Sequence, residues 1–288
     1  MIYKNGHALV SGEWLVNHLN DNNVRIIDAT FYLPQMGKNA RQEWTARHIP
    51  GAVFIDIDEV ADTSSGLPHM LPTSDVFAKA MSDAGISNDH KVIVYDANGG
   101  HMAACRMWWT LKTFGHDNVC VLNGGLVAWT EDGHPTDNAV PAHAPTTFKA
   151  AFKASNVKSK AQMTENLESK KFQVIDARSE ERYEGYEPEP RPTKNIGNIP
   201  GSLNVPFIDM VQPTLEFLFS SHETMVDAFE DGGVDRTKPT IHTCGSGVTA
   251  CVNAFTMYLL GGDDDIAVYD GSWGEWGDDE DLPFNHGR

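Results

Sequence analysis

The stretch IHTCGSGVTACVNAF, residues 241–255, joins two kinds of secondary structure across a short turn. A β-branched apolar run ends at Cys244, glycines at positions 245 and 247 flank Ser246, and a helix-like pattern follows. Strand, glycine-rich turn and helix in this order are typical of α/β folds with a parallel sheet. In such folds chemistry takes place at the carboxyl ends of the strands. Cys244 lies at such an end.

The two halves of the chain repeat the same segments in the same order. The matched pairs are VRIIDAT with FQVIDAR, RHIPGAVFID with GNIPGSLNVP, KVIVYDANGG with PTIHTCGSG, and VLNGGLVAW with VYDGSWGEW. The members of each pair lie 147 to 150 residues apart. A nearly constant offset of this size indicates two copies of one domain rather than a solenoid.

Within each half, apolar strand-like runs alternate with helical patterns. SDVFAKAMSDAG, for example, predicts a helix capped by Ser74. The alternation predicts an α/β fold of two tandem domains, each a mainly parallel sheet with helices on both faces. Residues 136–159 are rich in Pro, Ala, Ser and Thr and lack sustained periodicity. We therefore expect domains at 1–136 and 160–288, joined by a linker at 137–159.

The composition narrows the possible partners. The formal net charge is −18, which disfavours nucleic acids and anionic membranes because their phosphates repel a negative protein. The four cysteines form no CxxC pair and no zinc-ligand spacing, so we expect no metal site and a reducing compartment. The sequence shows no secretory leader and no apolar run long enough to span a bilayer. These features predict a cytoplasmic protein.

The turn after Cys244 suits a reactive thiol. Glycines at 245 and 247 permit a tight turn that points several backbone N–H groups inward, and the following helix adds the positive end of its dipole. A thiol in such a cradle should ionise readily and act as a nucleophile. The matching position in the first half holds Asp96, so one half carries the nucleophile and the other lacks it. A buried structural cysteine at a strand end is the alternative.

The sequence resembles the tandem-rhodanese sulfurtransferases, and among them most closely the 3-mercaptopyruvate sulfurtransferases. The segment CGSGVTA at 244–250 is similar to the active loop of that group, and HIPGA at 48–52, NIPGS at 198–202 and EPEPRP at 187–192 also match. The resemblance covers nearly the whole chain. It implies two domains of one α/β type, a catalytic carboxyl-terminal domain, a degenerate amino-terminal domain, and a site between them.

The resemblance implies a substrate with a carboxylate and an α-keto group. Arg182 and Arg191 match the substrate-binding arginines of the family, and a guanidinium pairs with a carboxylate through two hydrogen bonds. The alternative is that both are surface arginines paired with glutamates of the same acidic loop. Further substrate contacts are expected from four residues of the cysteine loop, namely Gly245, Gly247, Val248 and Thr249.

The family pattern also couples the loop serine to a histidine and an aspartate of the first domain. In this chain those residues match Ser246, His69 and Asp58. Such a relay would polarise the keto group of the substrate or manage the proton on the leaving group.

Two other residues near the loops have a structural interpretation. We expect Arg106 to close a buried salt bridge within its own domain. Relatives often carry an aromatic residue three positions before this arginine, where this chain has Ala103. Cys251 lies about two helical turns beyond Cys244 and is expected in the core rather than as a resolving thiol.

Together these features predict an enzyme that moves sulfur from 3-mercaptopyruvate to Cys244 as a persulfide and releases pyruvate. The acceptor would be cyanide or a thiol, either small or on a thioredoxin-like protein. No metal or organic cofactor is implied.

Three other functions are compared with sulfur transfer from 3-mercaptopyruvate. Thiosulfate sulfurtransferases resemble this chain in fold, but they carry basic residues directly after the cysteine, where this chain has Gly245 and Ser246. A cysteine phosphatase needs an arginine six positions after the cysteine, where this chain has Ala250. A non-catalytic docking module usually lacks the nucleophile that Cys244 supplies.

Overall fold

A computed structural model of the chain describes residues 3–212, 214, 217–262 and 266–287. Within these residues, the first half forms a parallel sheet with the spatial order β1-β5-β4-β2-β3. Its strands are β1 (Leu9–Val10), β2 (Val24–Asp28), β3 (Ala52–Phe54), β4 (Lys91–Tyr95) and β5 (Val119–Leu122). The central strands β2 and β4 are almost wholly buried, as expected for a sheet covered on both faces.

The second half forms a separate parallel sheet with the order β6-β10-β9-β7-β8. Its strands are β6 (Val157–Lys158), β7 (Gln173–Asp176), β8 (Leu203–Asn204), β9 (Thr240–Thr243) and β10 (Ala267–Tyr269). This is the order of the first sheet with every strand moved five places along the chain. The predicted α/β fold of two like domains is confirmed.

Helices flank both sheets. In the first half they are α1 (Gly12–Val16), α2 (Ala40–Ala46), α3 (Ser74–Asp83), α4 (Met102–Thr113) and α5 (Gly125–Glu131). In the second half they are α6 (Lys160–Ser169), α7 (Glu180–Glu184), α8 (His222–Asp231), α9 (Ala250–Leu259) and α10 (Ser272–Trp276). None of the helices in the described ranges is long and apolar enough to cross a bilayer.

The predicted cap of α3 is wrong by one residue. Ser74 is the first helical residue, and Thr73 before it is the N-cap, with its side chain accepting a hydrogen bond from the backbone N–H of Val76. Thr73 has the extended backbone that a cap requires, so its hydroxyl can reach back over the first turn.

The segment between the sheets packs along the first domain. The backbone N–H of Thr146 donates to Ser82 at 3.0 Å, and that of Ala151 donates to Phe114 at 2.8 Å. The strand β6 pairs with β10 and belongs to the second sheet, although it lies inside the segment expected to be linker. The exact limits of the two domains stay a prediction.

The two domains share an apolar interface built from α4 and α9. The ring of Trp108 lies 4.8 Å from that of Phe255 and 5.3 Å from that of Tyr258. The indole N–H of Trp109 donates to the carbonyl of Ile266 at 3.0 Å. Residues of both domains belong to one continuous buried cluster. Because interiors of this kind are close-packed, the interface fixes how the two halves of the site face each other.

Candidate active site

Cys244 is the first residue after β9, and neighbouring elements hold its backbone firmly. Its N–H donates to the hydroxyl of Ser272 at 3.3 Å, and its carbonyl accepts from Trp273 at 2.9 Å. The carbonyl of Gly245 accepts from Gly274 at 2.9 Å. The start of α10 therefore anchors the beginning of the cysteine loop, residues 244–249, and the thiol is almost fully buried.

The backbone N–H groups that follow Cys244 in this loop have no acceptor among the described residues. Among the described residues, the N–H groups of positions 245–250 donate to no backbone or side-chain acceptor. Buried N–H groups are nearly always paired in folded proteins, so a run of open donors beside a nucleophile is the signature of an anion cradle. The cradle expected from the glycine spacing is present.

The matching loop of the first domain is already filled. Asp96 takes the place of Cys244, and its carboxylate accepts hydrogen bonds from the backbone N–H groups of Ala104 (3.0 Å), Ala103 and Asn98. Burial raises the pKa of Asp96 to about 7, although these hydrogen bonds act in the opposite direction. The first domain thus places its own carboxyl group where the second leaves the donors open.

Arg182 lies in the short helix α7, and its charge is compensated. Its guanidinium pairs with Glu189, which also accepts a hydrogen bond from Arg178 at 2.8 Å. Arg178 is fully buried and pairs with Asp176 at 2.7 Å, so two guanidinium groups face two carboxylates. Burial lowers the pKa of Arg178, but the two carboxylates outweigh burial and raise it overall.

Arg178 was not predicted as a residue near the site, and the Arg182–Glu189 pair corresponds to the alternative of an arginine paired with a glutamate of its own loop. The signal for Arg178 was its position two residues after Asp176, at the end of a buried strand. A Cβ at Gly245 would lie 2.6 Å from the Arg182 guanidinium, so the glycine permits this close approach.

Arg191 differs from Arg182 because it makes no direct ion pair in the described part of the chain. Within the described residues, no carboxylate lies within 4.0 Å of its guanidinium, and Asp58, on the far side of His69, acts on it only at longer range. Its Nη2 lies 3.0 Å from Nε2 of His69, and burial lowers its pKa. Arg191 therefore presents a positive charge to the same cavity as Cys244.

His69 and Asp58 form the predicted hydrogen-bonded pair. Both belong to the first-domain segment that faces the cysteine loop. Nδ1 of His69 lies 2.5 Å from Oδ1 of Asp58. Burial lowers the pKa of His69, and the bond to Asp58 offsets this only in part. For Asp58, burial acts to raise the pKa, but its bond to His69 and the nearby charges lower it overall. A guanidinium can only donate, so Nε2 accepts from Arg191 and Nδ1 carries the proton.

Ser246 lines the same cavity, but it is not part of the hydrogen-bond chain of Asp58, His69 and Arg191. In the described part of the structure, its hydroxyl makes no hydrogen bond to His69, whose Nε2 faces Arg191 instead. Of the other loop residues predicted to contact substrate, Gly245, Val248 and Thr249 line the cavity. Gly247 does not line it and points its carbonyl towards Arg106.

The cavity that joins these groups has a volume of about 310 Å³ and lies between the domains. The second domain supplies its polar wall, which includes Cys244, Arg182, Arg191, Glu189 and Asp278. The first domain supplies His69 and an apolar wall formed by Phe31, Leu33, Met36, Leu67 and Met102. A small anion held on the polar side would leave room for a second reactant.

Arg106 is buried as expected, but the predicted partner is wrong. Its guanidinium lies 2.7 Å from Asp270 of the second domain and not beside a carboxylate of its own domain. The helix α4 carries Arg106 into the interface, where the loop after β10 presents Asp270. Cys251 is fully buried in the core, as predicted, and its thiol donates to the carbonyl of Gly247 at 3.2 Å.

Comparison with known proteins agrees with this arrangement. The model of the rhodanese-like domain matches residues 11–132 and again 159–279. The chain is 41% identical over 274 residues to human 3-mercaptopyruvate sulfurtransferase, covering 93% of this chain and 91% of that protein. It is 43% identical over 275 residues to thiosulfate sulfurtransferase of the rat, with the same coverage.

A crystal structure shows the same fold. SseA from Escherichia coli, described as a 3-mercaptopyruvate sulfotransferase, matches with a TM-score of 0.83 and 37% identity. The match covers 92% of this chain and 98% of that chain.

Proposed function

The chain belongs to the rhodanese family of sulfurtransferases, and on that premise we propose that its sulfur donor is 3-mercaptopyruvate. The observation that carries the proposal is the guanidinium of Arg191, which lines the cavity of Cys244 and makes no ion pair within 4.0 Å among the described residues. Arg182 and Arg178, in contrast, pair directly with Glu189 and Asp176. One available guanidinium matches the one carboxylate of 3-mercaptopyruvate, whereas thiosulfate carries two negative charges.

In the first half-reaction, Arg191 holds the carboxylate of the donor. The Cys244 thiolate attacks the donor sulfur, an S–S bond forms, and the C–S bond breaks with its electron pair moving to carbon. The resulting enolate of pyruvate takes up a proton and leaves. Cys244 then carries a persulfide, and the open N–H groups of residues 245–250 stabilise its negative charge.

Ser246, His69 and Asp58 serve the leaving group in this scheme. Burial and the charge of Arg191 favour the neutral form of His69, and the hydrogen bond to Asp58 keeps its proton on Nδ1. Binding of the donor carboxylate to Arg191 would release Nε2 of His69, which can then accept a hydrogen bond from the Ser246 hydroxyl. The serine would thereby become the donor towards the keto oxygen.

In the second half-reaction, a thiolate or cyanide attacks the outer sulfur and regenerates the Cys244 thiolate. The apolar wall of the first domain leaves space for this acceptor once pyruvate has gone. A small thiol, a thioredoxin-like protein and cyanide all fit this chemistry. The scheme predicts ping-pong kinetics.

Thiosulfate is the second candidate donor, because thiosulfate sulfurtransferases are as similar to this chain as the 3-mercaptopyruvate enzymes are. The neutral positions Gly245 and Ser246 favour the keto acid. A non-catalytic docking role is disfavoured because the nucleophile, the cradle and a cation occupy one cavity.

The test compares kcat/KM for the two donors with one thiol acceptor, using wild type and the variant Cys244→Ser. We expect a preference for 3-mercaptopyruvate of at least about tenfold, which corresponds to about 1.4 kcal/mol. The variant should show no turnover. A preference for thiosulfate would overturn the proposed donor, and no turnover with either donor would support the docking role.

The four cysteines also bear on location. All are free and buried, which suits a reducing compartment, and we propose the cytoplasm.

A further inference from the structure

We propose that the buried ion pair of Arg106 and Asp270 positions both halves of the site, by holding His69 and the cysteine loop in register across the domain interface. The proposal rests on the proposed function only in assuming that His69 and Arg191 serve the donor. Neither member of the pair lines the cavity, so they act through the residues that do.

Arg106 connects three acceptors that belong to different parts of the site. Its Nη1 lies 2.7 Å from Oδ1 of Asp270 and donates to the carbonyl of Gly247 at 3.1 Å. Its Nη2 donates to the carbonyl of His69 at 2.5 Å. One side chain of the first domain thus bonds the cysteine loop and the segment that carries the histidine.

Asp270 completes the connection from the second domain. Its Oδ2 accepts a hydrogen bond from the backbone N–H of Leu71 at 2.8 Å. The ion pair therefore binds the carbonyl of His69 through Arg106 and the N–H of Leu71 through Asp270. These two residues flank Met70. Both members are almost fully buried, where such bonds are strong and water does not compete.

The backbone of His69 needs this support. Its φ is +60°, in the left-handed region that side-chain-bearing residues adopt only when the surroundings enforce it. In this conformation the imidazole reaches both Asp58 and Arg191. A relaxed backbone at His69 would move the imidazole, and Arg191 would lose the contact that orients it.

The cysteine loop lies directly on the pair. Gly247 has φ of +73°, and a Cβ built there would lie 2.8 Å from the carbonyl oxygen of Asp270 and 3.0 Å from Nη1 of Arg106. The second glycine of the loop is thus explained by packing against the pair rather than by substrate contact. Any shift of the pair would be passed to the loop and so to Cys244.

The experiment removes both charges together, with Arg106→Met and Asp270→Asn in one protein. Removing one partner alone would leave a buried charge without compensation, whereas removing both is usually tolerated. The matched control is Lys112→Met, a buried cation of the same helix that lies 4.9 Å from the Tyr258 ring across the interface, away from the site. Both proteins are compared with wild type in thermal melting, kinetics and histidine ¹⁵N NMR.

For the double variant we expect kcat/KM with 3-mercaptopyruvate to fall by about 10- to 100-fold, because small displacements of positioned groups have effects of this size. The NMR signals of His69 should lose the pattern of a proton fixed on Nδ1. Lys112→Met should lower the melting temperature but keep kcat/KM within about twofold of wild type. A folded double variant with kcat/KM and His69 signals like those of wild type would overturn the proposal.

Two further measurements test the positioning role even if the proposed donor is wrong or the double variant does not fold. If wild type does not use 3-mercaptopyruvate, the proposed donor is wrong. The positioning role is then tested by NMR alone. A changed His69 spectrum in the double variant supports it, and an unchanged spectrum overturns it. If the double variant does not fold, Arg106→Lys replaces it, since one ammonium cannot reach all three acceptors. It should show the same losses, and wild-type behaviour would overturn the proposal.

Discussion

Arg182 and Arg191 match the same family role but differ in whether another side chain already balances their charge. Glu189 pairs with Arg182, whereas Arg191 lies beside His69 and makes no ion pair within 4.0 Å among the described residues. We infer that Arg191 provides most of the affinity for the donor carboxylate, and that Arg182 with Glu189 shapes the wall behind Gly245.

Replacing Arg191 should therefore act mainly on binding. For Arg191→Met we expect KM for 3-mercaptopyruvate to rise by about 10- to 100-fold, since hydrogen bonds to charged groups contribute about 1.5–3 kcal/mol. Steady-state kinetics measures this. Lys194→Met, an exposed cation of the same segment, is the control and should leave KM unchanged. An unchanged KM for Arg191→Met would contradict the assignment of Arg191 as the carboxylate anchor.

Glu189 sets how much positive charge the cavity offers, and this gives a second prediction. In Glu189→Gln the amide oxygen can still accept from Arg178 Nη1 and Arg182 Nε, but the bond from Arg182 Nη2 and one negative charge are lost. We expect the ratio of kcat/KM for thiosulfate to that for 3-mercaptopyruvate to rise by about tenfold, or about 1.4 kcal/mol. The exposed residue Glu280 supplies the control, Glu280→Gln. A ratio that does not move would show that cavity charge does not select the donor.

At the scale of elements, the cysteine loop and its first-domain counterpart differ in what fills them. The second domain leaves its loop N–H groups open, and the first domain fills them with the carboxylate of Asp96. The duplication thus provides an internal comparison, in which the same strand–turn–helix unit binds carboxyl oxygens through its backbone N–H groups. This comparison supports the assignment of the open loop as the place where the persulfide charge is stabilised.

Asp96 gives a prediction for stability against pH. Its pKa is raised to about 7 in the folded protein, whereas an aspartate of the unfolded chain titrates near pH ~4. Between these values the folded state keeps a proton that the unfolded state has lost, so the free energy of unfolding falls as the pH rises. Each pKa unit of difference corresponds to about 1.4 kcal/mol.

In Asp96→Asn this contribution is absent, so the slope of the free energy of unfolding against pH should be less negative, or more positive, than in wild type between about pH 4 and 7. Urea unfolding across this range measures the slope for both proteins. Asp89→Asn, at an exposed position, should keep the slope of wild type. Equal slopes in wild type and Asp96→Asn would mean that Asp96 is ionised in the folded protein throughout this range.

The sequence predicts elements well where periodicity and turn residues agree. The strands that end at or just before Asp28, Asp96, Asp176 and Cys244, and the helix α9 after the cysteine loop, lie where the apolar runs and the glycine-rich turn predict them. The cap of α3 was misplaced because Thr73 and Ser74 are both good caps and only the backbone angles decide between them. The strand β6 was missed because two residues carry no periodic signal.

At the scale of the whole molecule, the buried face of α4 against α9 makes the two domains one packed unit. Trp108 lies at the centre of this contact and is fully buried. For Trp108→Ala we expect the free energy of unfolding to fall by about 3–5 kcal/mol, as for other large-to-small core changes. Urea titration followed by circular dichroism and by fluorescence measures both the loss and whether the transitions coincide.

Coincident transitions in wild type are expected if the domains unfold together. The control is Trp14→Ala, a partly exposed tryptophan that stacks on His18 within the first domain, which should have a smaller effect. Two separate transitions in wild type, or a loss for Trp108→Ala no larger than for Trp14→Ala, would contradict a shared core.

How the domains meet could not be predicted from the sequence. The repeat shows that there are two similar domains, but the partners of Arg106 depend on which faces come together. Asp270 is 164 residues away and shares no motif with Arg106, so no local pattern connects them. The same holds for the contact of Arg191 with His69, which joins residues 122 positions apart. The sequence thus predicts which residues line one cavity better than it predicts their hydrogen-bond partners.

The central claim is that Cys244 takes the sulfur of 3-mercaptopyruvate as a persulfide. The most direct measurement mixes the protein with one equivalent of the donor and no acceptor, then records the intact mass and the pyruvate released. We predict a gain of one sulfur atom, located on the Cys244 peptide, with one pyruvate for each persulfide. Release of pyruvate without added sulfur, or sulfur on Cys251 or another cysteine, would contradict the account.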